Sequence, residues 1–133
     1  MDSPKSLKKG FTLIEIIIVG TFVGLLLILF LVQKSNLDAF QRDEDRKTAI
    51  NAMYYALEES YYKTHGYYPE TISEENITVI DPALWTDPNG YNLGDPKSSY
   101  SYQPADCDNG HCKKYILKAD LEKEADYIKN NRN

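Results

Sequence analysis

The chain has 133 residues, a net charge of −5 and 42% apolar residues, which sets it at one domain with an appendage. Without its first ten residues the balance is twelve Lys and Arg against nineteen Asp and Glu, an acidic body that argues against broad nucleic-acid binding. No Ser/His/Asp set, phosphate-binding loop or pair of catalytic carboxylates stands out, so neither an enzyme nor a cofactor is expected.

Residues 1–10 are short and basic, with Lys5, Lys8 and Lys9 against Asp2. Basic residues beside an apolar segment hold that end in the cytoplasm. Phe11–Val32 follows as 22 almost wholly apolar residues, about 33 Å as a helix and enough to cross a bilayer core of about 30 Å. A secretory signal is cleaved after its apolar stretch, at small residues. Here the small residue, Gly10, stands before it, so a signal anchor fits better than a removed signal peptide.

Glu15 breaks the apolar run four residues past Phe11. An acid at the centre of a membrane helix costs about 2.5–3.5 kcal/mol, and less near an end. A cut between Gly10 and Phe11 supplies a partner, because it frees a positive α-amino group one helical turn from Glu15. That ammonium reaches either its own Glu15 or that of a neighbouring helix, and the second pairing fixes a stagger between chains.

No proline occurs from Phe11 to Tyr68, and before Gly66 the glycines of that stretch are Gly20 and Gly24. One helix is therefore expected from about Phe11 to Thr64, roughly 80 Å long, ended by Gly66 and kept from renewing by Pro69. Its second half has two zones. Gln41–Thr48 is polar on every side, which excludes packing on a core there. It reads either as a solvated neck or as a set of charges, Arg42, Asp43, Glu44, Asp45 and Arg46, that pair between chains. Beyond it Ile50, Met53, Tyr54, Leu57 and Tyr61 form a stripe that should lie on a sheet. His65, beside Gly66, sits where a cation favours the helix dipole.

Past Pro69 the chain is loop-rich to about Ser99, with turns at Pro82, Pro88, Asn89-Gly90, Gly94 and Pro96, a short strand at Ile77–Ile80, and Trp85 as a packing residue. Asn76-Ile77-Thr78 matches a glycosylation sequon. The clearest β signal is a hairpin: strands Ser99–Gln103 and Lys113–Ala119 flank Cys107–Cys112, with Asn109-Gly110 as the centre of a type I′ turn. That turn sets Asp108 opposite His111, Cys107 opposite Cys112, Tyr102 opposite Leu117 and Tyr100 opposite Ala119, unless a bulge at Pro104 shifts the outer pairs. The cysteine pair falls about 4.5 Å apart between Cα atoms, near the short end of disulfide range. Tyr100, Tyr102, Tyr115 and Leu117 then share the face toward the helix. Cys107, His111 and Cys112 admit a zinc reading, but a fourth ligand is missing; a disulfide fits an exported domain better. Asp120–Asn133 reads as a short helix or a last strand with a frayed polar end.

Lys8-Lys9-Gly10-Phe11-Thr12-Leu13-Ile14-Glu15 resembles the processing signal of type IV prepilins and type II secretion pseudopilins. Gly24 matches a glycine common in their helices. Tyr61–Pro69 is similar to the helix exit of many pilins and major pseudopilins, Thr86–Tyr91 to the Asp-Pro-x-Gly loop of major pseudopilins, and Tyr115–Glu122 to the closing strand of small pilin-like heads. The resemblance implies an α+β pilin fold, a long N-terminal helix on a small antiparallel sheet. Its divisions would be a leader at 1–10, a transmembrane and assembly helix at 11–32, an amphipathic continuation at 33–65 and a β-rich head at 66–133. It also implies cleavage after Gly10 by a membrane prepilin peptidase, N-methylation of Phe11 by the same enzyme, and admission to a helical filament through Glu15. Partners would be that peptidase, further copies of the chain, an inner-membrane assembly platform and membrane lipid, with the leader cytoplasmic and the head outside. By analogy with pseudopilins, the 81–95 loop offers Asp87, Asn89 or Asp95 to calcium, against a bland reading as solvated turn residues. The functions in view are a type IV pilus subunit, a major pseudopilin of a secretion or competence system, and a monomeric signal-anchored binding protein.

Overall fold

The computed structural model describes residues 10–132. They fold as α+β, with a long N-terminal helix and a small antiparallel sheet. Two compact units divide the chain, one up to Leu37 and one from Asp38 onward. In the first unit the described residues are 10–12 and the opening part of helix α1 (Leu13–Tyr55), and the large apolar side chains from Phe11 to Val32 are all exposed.

In the second unit the helix carries the expected stripe. Ile50, Met53 and Leu57 are fully buried, while Tyr54 and Tyr61 pack at its margin. The expected single helix runs continuously over Leu13–His65, but it is not α throughout. A π-helical segment spans Ala56–Tyr61 before a last α turn, α2 (Tyr62–His65). Ala56, Leu57 and Glu58 are all buried, whereas three successive residues of an α-helix fan over about 200° and do not all face one core. The widened turn brings them in together. Gly66 then ends the helix in the left-handed region at φ 78°, its N–H donating to Tyr62 O at 2.7 Å, a conformation glycine adopts without a Cβ penalty.

The loop-rich stretch packs through Ile72, Ile77, Ile80 and Trp85. Ile77–Ile80 is not a strand. Its buried residues are three apart, which suits turns rather than the two-residue period of a strand. Asn76 fixes the preceding turn by accepting from Ser73 N at 2.9 Å and donating to Thr71 O at 2.7 Å. A short 3₁₀ turn follows at Pro82–Trp85, capped by Asp81, which accepts from Ala83 N at 3.0 Å.

Four strands make one sheet: β1 (Tyr68–Pro69), β2 (Tyr100–Asp108), β3 (His111–Ala119) and β4 (Tyr127–Asn130). β3 is central, with β2 along one edge and both β1 and β4 on the other, all antiparallel. The register is the expected one, including Cys107 opposite Cys112, Tyr102 opposite Leu117 and Tyr100 opposite Ala119. Pro104 lies opposite Tyr115 without shifting it, as suits proline on an edge strand. The C-terminal stretch is a strand, and its end is anchored rather than frayed: the Arg132 guanidinium donates to the Tyr54 phenol at 3.1 Å and to Glu59 at 2.7 Å.

Tyr100, Tyr115, Leu117 and Ala119 meet the helix stripe in the core. Tyrosine supplies the bulk of a small head. Tyr62 stacks on Tyr68 at 4.8 Å between ring centroids, and Tyr68 meets Tyr115 edge-on at 4.8 Å. Burial pushes the Tyr100 phenol up to about 12 and raises Tyr102 and Tyr115 as well, Tyr115 also through its hydrogen bond to Glu58. Leu57→Ala should cost about 2–5 kcal/mol of head stability, measured by urea unfolding of the full chain in detergent. Trp85, the chain's one tryptophan and itself buried, serves as the fluorescent probe.

Candidate functional site

The N-terminal site begins outside the helix. Gly10 and Phe11 precede it in non-helical conformation and are exposed. Glu15 lies in the first turn, also exposed. Thr12 and Glu15 answer each other: the Thr12 N–H donates to Glu15 Oε2 and the Glu15 N–H donates to Thr12 Oγ1, both at 3.4 Å. This is a capping box, a threonine at the N-cap and a glutamate three residues on. The sequence carried its signal, Thr-x-x-Glu before an apolar run, and it gives Glu15 a donor within its own chain. Beyond it the helix is long and apolar enough to cross a membrane. The basic leader, with Lys5, Lys8 and Lys9, lies outside the described residues.

The charged zone of the helix is neither a solvated neck nor free of the core. Asp43 and Arg46 are fully buried. Asp43 Oδ1 accepts the Glu122 N–H and Arg46 Nη1, and Oδ2 accepts the Lys123 N–H, each at 2.8 Å. Arg46 also donates to Glu122 Oε1 at 2.8 Å and to Ser99 Oγ at 3.2 Å. Arg42 grips Glu122 with two bonds, at 2.7 and 2.6 Å. Lys47 holds Glu44 at 3.0 Å and Glu124 at 2.7 Å, and Asp45 accepts from Gln41 at 3.0 Å. The charges offered for pairing between chains thus find partners within this one.

The network extends into the 81–95 loop. Ser99 donates to Asp87 Oδ2 through its N–H and its hydroxyl, both at 2.8 Å, while the N–H groups of Asn89 and Tyr91 donate to Oδ1 at 2.9 Å. Asp87 is buried with both oxygens engaged, and so organises the loop. Asp95 caps its own turn by accepting the Lys97 N–H at 2.8 Å. Of the three calcium candidates, Asp87 and Asp95 accept backbone N–H groups, and Asn89 donates its own to Asp87. Among the described residues no group of three or more His, Cys, Asp or Glu is placed to hold a metal.

At the hairpin, Cys107 and Cys112 are joined in a disulfide with Cα atoms 3.9 Å apart. Their sulfurs are therefore not zinc ligands, and the His111 ring lies against Tyr67, 3.8 Å between centroids.

Three carboxylates of this network, Glu122, Asp43 and Asp87, are held below the usual range. Hydrogen bonds from Arg42 and Arg46 hold Glu122 down at about 2. Burial opposes ionisation of Asp43, but the N–H groups of Glu122 and Lys123 and the Arg46 guanidinium more than offset it. At Asp87 burial is likewise outweighed by donors from Ser99, Tyr91 and Asn89. A depressed native value means that the unfolded chain binds more protons, so stability rises with pH across the gap. The Glu122 contribution should be complete above its ordinary value of 4.5 and vanish as pH falls through about 2; acid unfolding followed by Trp85 fluorescence checks this. Arg46→Met, which strands the buried Asp43 carboxylate, should cost about 3–5 kcal/mol in the same assay.

Compared with known proteins, the chain matches no family model, no curated protein and no solved structure.

Proposed function

We propose that the chain is the structural subunit of a type IV pilus or pilus-like filament. It is inserted in the membrane, cut after Gly10 by a prepilin peptidase, methylated on Phe11 and polymerised through its N-terminal helix; it is not an enzyme. One observation carries the reading: an exposed apolar helix, long enough to span a bilayer, opens directly after Gly10-Phe11 with a single carboxylate, Glu15, in its first turn. In lipid that carboxylate calls for a cation, and cleavage makes one on Phe11. The leader stays cytoplasmic by its lysines. The head lies outside, where its disulfide suits an oxidising compartment.

A major pseudopilin of a secretion or competence system is the second reading. It is favoured by the Asp87-Pro88-Asn89-Gly90 loop, whose backbone is gathered by the buried Asp87 carboxylate. A retraction ATPase gene nearby argues for the pilus, and an outer-membrane secretin with secretion partners for the pseudopilus.

The mature chain should begin at N-methylated Phe11 by mass spectrometry; an intact Met1, or a start at Asp2, would leave only a monomeric signal-anchored protein. Glu15→Gln separates two roles. Glutamine completes a capping box as glutamate does but carries no charge. The variant should insert and be processed, yet fail to enter filaments seen by electron microscopy. Normal fibres from it would refute the charge pairing.

A further inference from the structure

The sequence contains two Asn-Gly dipeptides, Asn89-Gly90 and Asn109-Gly110, and the fold treats them differently. Asparagine is among the thermolabile residues, because the next backbone nitrogen can attack its side-chain carbonyl carbon. A following glycine, lacking Cβ, obstructs that attack least. At the first site the nucleophile is occupied. The Gly90 N–H donates to Asp87 O at 2.9 Å, and the flanking N–H groups of Asn89 and Tyr91 are pinned to Asp87 Oδ1, each at 2.9 Å. The second site is the tip of the β2–β3 hairpin, with Asn109 at φ 49° and Gly110 at φ 83°. Asn109 is exposed, and among the described residues the Gly110 N–H has no hydrogen-bond partner.

We propose that Asn109 is a site of spontaneous deamidation, which gives the hairpin tip an added acidic charge as the protein ages. The Gly110 amide loses its proton to solvent and its nitrogen attacks Asn109 Cγ. The N–Cγ bond forms, the Cγ–Nδ2 bond breaks, and Nδ2 takes up a proton from solvent and leaves as ammonia. Water then opens the five-membered imide at either carbonyl, leaving an aspartyl or an isoaspartyl linkage. The isoaspartyl form puts an extra methylene into a two-residue turn and adds a carboxylate to its exposed tip, next to Asp108. Ring closure requires rotation about the Asn109 Cα–C bond. The Cys107–Cys112 disulfide, two residues before Asn109 and two after Gly110, restrains that rotation and sets the pace.

The full oxidised chain, in detergent and at mildly alkaline pH, is aged, digested and mapped by mass, with isoaspartate read by enzymatic carboxyl methylation. The peptide holding the disulfide should convert several-fold faster than the one holding Asn89. Reduction should accelerate position 109 and leave position 89 unchanged. Conversion at Asn89 as fast as at Asn109, or none at Asn109 while an unfolded peptide of the same sequence converts, would overturn the assignment. An Asn109 rate indifferent to reduction would overturn the role given to the disulfide.

Discussion

Asp43 and Arg46 put a full ion pair where the helix stripe meets the rest of the head, with neither side chain in contact with solvent. Taking both charges out of water costs several kcal/mol per ion, and their attraction repays it only when the remaining lone pairs and protons are also satisfied. Here they are, by two backbone N–H groups, Glu122 and Ser99. Apolar residues of the same volume would fill that space at less desolvation cost. What the pair adds is register. The Asp43 carboxylate accepts from residues 122 and 123 alone among backbone donors, so the helix is keyed to one position of the C-terminal stretch, and through Ser99 and Asp87 to the loop ahead of β2.

A second buried carboxylate lies further along the same stripe. Glu58, brought inward by the π turn, accepts from the phenols of Tyr115 at 2.8 Å and Tyr68 at 3.2 Å, and from the Arg132 N–H at 3.2 Å. Both inward-facing acids of the helix therefore take backbone N–H groups from the last part of the chain, one before β4 and one after it. Strand β4 pairs with β3 over four residues only. Its two flanks are each fastened to the helix by a carboxylate that cannot be left unpaired without a penalty of about 1–3 kcal/mol or more. A head with few residues for an apolar core thus closes its chain end with polar contacts of high individual cost.

This division explains what was legible beforehand. The hairpin was readable in full, because Asn109-Gly110 fixes the turn, the turn fixes the register, and the cysteines agree with it. Ile50, Met53 and Leu57 were readable from their spacing. The same spacing carried backward reaches Arg46, Asp43 and Ala39, all buried, but residue type hid the continuation: a run of charges reads as a wet surface until its partners, some eighty residues later, are known. Glu58 was hidden for the same reason, and the π turn that admits it leaves no mark in composition. The C-terminal strand lacks a strong pattern of its own because its hold on the fold comes from single N–H groups rather than a buried face. At the other end, Thr12 and Glu15 carry the Thr-x-x-Glu spacing of a capping box, a signal that an acid in an apolar run masks because lipid and helix end make separate demands on it.

The contrast among these acids bears on what the N-terminal helix requires. Asp43 takes three donors and Asp87 takes four, all at 2.8–2.9 Å. Glu15 has one backbone N–H at 3.4 Å, the long edge of a hydrogen bond. In water that is sufficient, because solvent does the rest. In a bilayer, which the helix is long and apolar enough to cross, water is absent and a single long bond would leave the carboxylate largely uncompensated. The capping box therefore orients Glu15 without neutralising it. In the filament reading proposed above, the remaining positive group is the one that cleavage just ahead of Phe11 would free.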